Sequence, residues 1–220
     1  YWIGPDHSVD RAAQALMQYS DLPLAMCSVL ARLGVAADEV EGYLNPRIKN
    51  LLPDPRALLD MHKAAKRILR AVSNKNRIAI FADYDVDGAS SAALLLTWLK
   101  AMGRTATLYV PNRIDEGYGP NEQAMLQLAK THDLIICVDC GTLSHGPIAV
   151  AKPTEVIVLD HHLAAETLPE CVAVVNPNRQ DESGALSHLC AAAVVFLCLV
   201  ECGRLLKEQG KDAPDLISYL

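Results

Sequence analysis

Three aspartates alternate with other residues in Asp83-Tyr84-Asp85-Val86-Asp87-Gly88, directly after the apolar stretch 77–82. Asp139 closes a second apolar stretch, 133–138, and Asp160-His161-His162 closes a third, 155–159. Carboxylates and imidazoles at the ends of apolar strands can take up protons or ligate cations. Carboxylates crowded together repel one another and raise their own pKa values, and divalent cations remove that cost. Oxygen ligands suit Mg²⁺ or Mn²⁺, and imidazole tilts the choice towards Mn²⁺. Two such ions about 4 Å apart can clamp a phosphodiester and activate water.

Each piece also has a plainer reading. Asp and Gly favour turns, and one Asp is enough to cap a helix. Asp139 alone reads equally as a turn residue, and a single His at a strand end as a satisfied turn. The Asp83–Gly88 segment resembles the start of an EF-hand loop, but Leu94 stands where a bidentate Glu is needed, and a strand precedes it. Asp85-Val86-Asp87-Gly88 after a strand also resembles the nucleophile motif of haloacid-dehalogenase-type phosphatases. That chemistry predicts a covalent aspartyl-phosphate and leaves Asp160-His161-His162 unexplained.

The elements that must position these groups follow from the pattern. Segments 77–82, 105–110, 133–138, 155–159 and 172–175 read as short buried strands. Segments 89–102, 121–130 and 189–207 read as helices. Strands alternating with helices predict an α/β fold, a parallel sheet of about five strands with helices on both faces. In such sheets the functional crevice lies at the carboxyl ends of the strands, where the three motifs would converge. Residues 1–75 read as a helical N-terminal region, with helices at 10–19, 23–32 and 37–44, ahead of an α/β domain at 76–220. Asn45-Pro46 and Pro53-Asp54-Pro55 break the helical spacing. Asp60 is then the expected N-cap of a helix to about Val72. Lys63, Lys66, Arg67 and Arg70 on that helix form either a solvated basic face or a phosphate-contacting patch.

Composition narrows the classes. The 220 residues are 51 % hydrophobic and 21 % charged, as in a globular domain. No run reaches the roughly 18 apolar residues of a membrane span; the longest, 189–200, fits a buried helix. The first six residues have neither the basic start nor the apolar stretch of a signal peptide. The start without Met suggests a fragment. A net charge of −6 excludes generic polyanion binding, so any nucleic-acid contact must be local and partly through metal ions. The seven cysteines read as buried free thiols in a reducing, cytoplasmic setting.

Taken in order, the motifs resemble those of the DHH phosphoesterase superfamily, and within it the single-strand-specific DNA exonucleases. The stretch Asp83 to Leu95 is similar to the first motif, Val138 to Thr142 to the second, and Leu159 to His162 to the one that names the superfamily. Pro111-Asn112-Arg113 with Glu116-Gly117-Tyr118-Gly119, and Val175-Asn176-Pro177-Asn178, resemble signatures of the exonuclease branch. The resemblance covers essentially the whole chain, including Leu51 to Pro55. It implies a DHH-type sheet, a two-metal Mn²⁺ or Mg²⁺ site and 5′-to-3′ hydrolysis of single-stranded DNA in repair and recombination. An alternative within the superfamily is a phosphodiesterase acting on short oligonucleotides or cyclic dinucleotides; a non-enzymatic DNA-binding scaffold is a third. The resemblance further implies that Asp85, Asp87, Asp139 and His161 are metal ligands. Asp83 and Asp160 would belong to the catalytic set, as ligands or as groups that orient them. His162 would contact the scissile phosphate or help protonate the leaving oxygen. Arg113, Tyr118 and Asn176 would bind substrate, Arg113 as a phosphate clamp unless a salt bridge to Asp115 or Glu116 claims it, and Tyr118 by stacking on a base unless it anchors its loop. The superfamily's fourth motif, which supplies a further Asp ligand, has no match, so the chain is expected to lack part of the catalytic domain and to be weak or inactive alone. Ala193 stands where Gly is expected before the last apolar helix.

Overall fold

The computed structural model describes residues 7–219. The first six residues, part of the expected helical region and the basis of the signal-peptide reading, lie outside the described residues.

The chain divides into two compact units, Tyr1–Pro53 and Asp54–Leu220. In the first, α1 (His7–Tyr19), α2 (Leu24–Arg32), α3 (Val40–Leu44) and α4 (Ile48–Leu51) form in order. Helical spacing puts Ala13 and Leu16 of α1 on one side, and they bury against Cys27 and Leu30 of α2 and Val40 of α3. Pro23 sits at the N-terminal edge of α2, where its missing N–H costs nothing.

The second unit is built on five strands: β1 (Ile78–Ala82), β2 (Ala106–Tyr109), β3 (Leu134–Val138), β4 (Glu155–Leu159) and β5 (Ala173–Val175). Their order is β2-β1-β3-β4-β5, and every adjacent pair is parallel. All residues of β1 and β3 are buried, which is why these segments read as unbroken apolar runs rather than as alternating ones. Side chains nevertheless alternate between two cores. Ile78, Ile80, Leu134, Ile136, Ile157 and Leu159 pack under α5 (Met61–Ser73), α6 (Val86–Ala101) and α9 (Ala191–Glu208). Phe81, Ile135, Cys137 and Val158 face α7 (Glu122–Thr131) and the short α8 (His145–Val150).

Two expectations change, and the compact second unit, which begins at Asp54, takes in α5 ahead of the expected domain start at 76. The reason is the burial of α5: Met61, Ala64, Ala65 and Ile68 are fully covered in the core beneath the sheet. Asp60 precedes α5 in a left-handed conformation, φ 59°, and makes no side-chain cap. Its carboxylate instead accepts from the Val174 N–H (3.3 Å) and the Arg179 guanidinium (3.1 Å), stitching β5 to the helix start. Finally, the basic face of α5 is partly consumed. Arg67 is buried and donates to Glu155 at 2.7 Å, and Arg70 to the same carboxylate at 2.9 Å. Glu155 opens β4, at the edge opposite the strand-end motifs.

All seven cysteines are free; Cys27, Cys137, Cys140, Cys198 and Cys202 are buried, whereas Cys190 is exposed. No described helix is long and apolar enough to cross a membrane.

Candidate metal centre

The strand order reverses between β1 and β3, and a ligand crevice in an open α/β sheet lies outside the carboxyl ends at such a switch point. Asp83 and Asp139 follow these two strands, and Asp160 follows β4. Asp83 is tied to β3 by its N–H, which donates to the Val138 carbonyl at 3.3 Å. The Asp139 N–H donates to Leu159 O at 3.0 Å, and the Asp160 N–H to Val175 O at 3.0 Å. Each motif therefore leaves its strand while still held in the sheet ladder.

The first motif is itself the start of a helix. Helix α6 begins at Val86, three residues earlier than the apolar pattern predicts, because Asp85 caps it. One Asp85 oxygen, Oδ1, accepts from the N–H groups of Asp87 (2.9 Å) and Gly88 (3.0 Å). The Gly88 and Asp87 amides hold the Asp85 carboxyl below its ordinary pKa. Capping and ligation do not compete here, since the second oxygen stays available. Gly88 is needed because a Cβ there would lie 2.4 Å from the Asp83 carbonyl oxygen. Gly88→Ala should push the first turn of α6 off that carbonyl. We expect a loss of about 1–3 kcal/mol in urea unfolding, as for other overpacked positions.

Asp139 adopts a left-handed backbone, φ 59°, a region that Asp and Asn tolerate better than other side-chain-bearing residues. Its side chain is 1 % exposed, and neither carboxylate oxygen has a hydrogen-bond partner. Asp83 Oδ1 is buried without a partner as well. Burial, the charge of Asp87 and the adjacent Asp85 carboxyl push Asp139 up to about 8. Burial, partly offset by the Tyr84 N–H, raises Asp83 too. Ligand atoms of Asp83, Asp85 and Asp139 lie within 4.8 Å of one another, and so do those of Asp139, His161 and His162. Asp139 is common to both groups. His161 Nε2 stands 3.4 Å from Asp139 and 3.6 Å from Asp87. Buried oxygens without donors, pKa values forced upward and imidazole nitrogens alongside are a chemical fit for a divalent cation.

Asp160 differs in kind. Its Oδ2 accepts from the Thr142 N–H at 3.0 Å, and its Oδ1 from the His161 N–H at 2.7 Å and from His162 Nδ1 at 2.8 Å. Burial alone would raise its pKa, but the hydrogen bonds from His162 and Thr142 hold it at about 2. The same contact raises the pKa of His162.

The remaining expected residues divide. Asp87 belongs to neither group; its Oδ2 reaches His161 Nε2 at 3.6 Å, and its two oxygens accept from the first N–H groups of α9, Ala191 and Ala192, each at 2.8 Å. Arg113 has no ion pair among the described residues: Asp115 bonds Asn112, and Glu116 is held by Asn112, Asn121 and Tyr109. The guanidinium lies over the Tyr84 ring, 5.2 Å from its centroid. Tyr118 is 54 % exposed, and its hydroxyl reaches His162 Nε2 at 3.0 Å. Asn176 is fully buried, which corrects its reading as a substrate contact. Its amide donates to Thr142 Oγ1 and to the His162 carbonyl, each at 2.8 Å. Sequence reasoning misses Thr142 as a site residue, and also Asn178, which donates to the His161 carbonyl. Both lie inside motifs that the sequence singles out.

Fold and motifs together place the chain in the DHH family: residues 77–219 match its N-terminal domain. Among curated relatives it is 34 % identical over 210 residues to the single-stranded-DNA-specific exonuclease RecJ of Dickeya dadantii, covering 90 % of this chain and 36 % of the relative. It is 36 % identical over 190 residues to the protein of the same name from Bacillus subtilis, covering 85 % and 24 %. A crystal structure of RecJ from Thermus thermophilus in complex with Mn²⁺ superposes with a TM-score of 0.70 at 25 % identity, over 98 % of this chain and 29 % of that one. The chain thus spans about a third or less of the length of these relatives.

Proposed function

We propose that this chain carries the metal-dependent phosphodiesterase centre of an exonuclease that degrades single-stranded DNA from the 5′ end. The observation that carries the reading is Asp139, a buried carboxylate at the switch point with neither oxygen satisfied. Its neighbours are other acids and the His161 and His162 imidazoles. Relatives named for single-strand-specific exonuclease activity, and a neighbour crystallised with Mn²⁺, support it.

In this reading Asp85, Asp87, Asp139 and His161 hold Mn²⁺ or Mg²⁺, with Asp83 beside them. When bound, such ions neutralise the acids, polarise the phosphoryl group and lower the pKa of water. The protein's own groups do the rest. Asp160 keeps a hydrogen bond on His162 Nδ1, and the raised pKa of His162 suits it to contact a phosphate oxygen or to protonate the leaving oxygen. The Tyr84 ring stiffens Arg113, whose guanidinium matches phosphate bidentately. The reaction would serve DNA repair and recombination in the cytoplasm.

Hydrolysis of 5′- and 3′-labelled oligonucleotides, single- and double-stranded, by this chain within its full-length protein tests the proposal, since the chain alone is expected to be weak or inactive. Mononucleotide release from the 5′ end of single strands is expected, and cleavage restricted to dinucleotides or cyclic dinucleotides contradicts it. Arg113→Ala should raise KM for single-stranded DNA about 10-fold, one charge-assisted contact, and reduce the salt dependence of binding. An unchanged KM would remove Arg113 from the substrate path.

A further inference from the structure

The three most exposed large apolar side chains among the described residues are Ile114 (92 %), Val86 (81 %) and Leu163 (81 %). Single exposed aliphatics are common and need no explanation, but these three share a place in the fold. Val86 stands between Asp85 and Asp87 after β1, Ile114 directly follows Arg113 in the loop after β2, and Leu163 directly follows His162 after β4. Leu143, more than half exposed, directly follows Thr142 after β3. Across the sheet in the order β2-β1-β3-β4, each strand end therefore carries one bare aliphatic residue next to a site residue: Ile114, Val86, Leu143 and Leu163. Their backbones are held in place. The Ile114 N–H donates to Asn112 Oδ1 at 3.0 Å, and Val86 opens α6 behind its Asp85 cap. On either side of Leu163, the His162 carbonyl accepts from Asn176 at 2.8 Å and the Ala164 N–H donates to the Asn178 carbonyl at 3.3 Å.

From this arrangement we infer that the aliphatic row is a subsite for the nucleobases of a single strand, and that it favours single strands over duplexes. The substrate class is that of the phosphodiesterase reading, on which this subsite rests. Phosphates that enter the crevice meet its acids, whereas the base is the uncharged part of a nucleotide and its faces are apolar. In a duplex those faces are stacked inside, and only base edges and phosphates reach the grooves and the surface. An aliphatic row gains nothing from such a ligand. A single strand leaves the faces free to cover the row, and does so whatever the base, since every base has such a face. A row covered instead by another part of the full-length protein would act on stability and not on base recognition.

Ile114→Ser and Leu163→Ser, made in the full-length protein singly and together, test the subsite. Both side chains stand clear of the core, so the fold should be kept. Fluorescence anisotropy in EDTA, where nothing is cut, reads the binding of three labelled ligands: a short single strand, an abasic strand of the same length, and a blunt duplex. Each substitution should weaken binding of the single strand about 10-fold, the effect of leaving one aliphatic side chain uncovered, and the pair should weaken it further. The abasic strand and the duplex offer no free base faces and should bind as they do to the wild type. Equal weakening of the abasic and the base-bearing strand, or no weakening of either, would overturn the inference. So would a lower melting temperature of the variants with single-strand binding unchanged, which would mark the row as covered by another part of the protein. A wild type that binds single strands through these side chains yet hydrolyses none under Mn²⁺ would instead sink the functional reading and leave the base subsite standing.

Discussion

Asp139→Asn should make the metal-free protein more stable and abolish its response to Mn²⁺. Asp139 carries both effects because it is buried, unpaired and surrounded by other acids. Burial and neighbouring charge lift it from 3.8 to about 8. Each pKa unit is worth about 1.4 kcal/mol, so even a third of that displacement is about 2 kcal/mol. For a protein of this size that corresponds to about 4–8 °C in melting temperature. Asn keeps the shape, tolerates the left-handed backbone and offers an N–H₂ group to the adjacent carboxylates, so the fold should survive. It removes the charge shared by both ligand groups, so Mn²⁺-dependent hydrolysis should fall by at least about a hundredfold, as when a preorganised electrostatic group is lost. Thermal melts of this chain with and without Mn²⁺, alongside nuclease assays of the full-length protein, read both. A variant that is less stable without metal yet still stabilised by Mn²⁺ would mean that Asp139 is a structural acid.

The second large effect is on pH. In the metal-free protein Asp139 keeps its proton up to about pH 8, whereas an unfolded chain releases it near 3.8. Between those values the folded state binds more protons, so stability falls as the pH rises. His162, raised by its hydrogen bond to Asp160, acts in the same direction through the neutral range. Asp160, held at about 2, contributes stability that is lost only as the pH falls from 3.8 towards that value, below this window. Metal ligation needs the deprotonated carboxylate, so Mn²⁺ should reverse the trend. The Mn²⁺-induced rise in melting temperature should be near zero at about pH 5.5 and largest above pH 8. There, a hundredfold excess over Kd is worth about 2.7 kcal/mol. A rise of equal size at both pH values would argue against ligation through Asp139.

The sheet is readable because β1, β3 and β4 are buried on both faces, so their apolar runs announce themselves; strand ends fall within a residue of the expected positions. Helix starts are less legible. The first turn of α6 consists of motif residues, and its polar capping pattern hides it from an apolar count. Helix α8 escapes the pattern because Gly146-Pro147 reads as a break, although Pro is allowed in a first helical turn. At the site, the acids and imidazoles are legible as strand-end types, and the sheet brings them together. What is not legible depends on contacts between residues far apart in sequence. The Asp87 bonds to α9 span about a hundred residues, and the Tyr118 contact with His162 spans 44. Nothing local distinguishes the buried Asn176 and Asp160 from exposed site groups, since their burial is set by the loops folded over them.

The most direct measurement is anomalous diffraction at the manganese edge from crystals grown with Mn²⁺. The account predicts a leading peak within about 2.5 Å of an Asp139 carboxylate oxygen, with Asp85 or Asp87 and His161 completing the shell. Strong peaks elsewhere, with Asp139 still buried and free of metal, would contradict it.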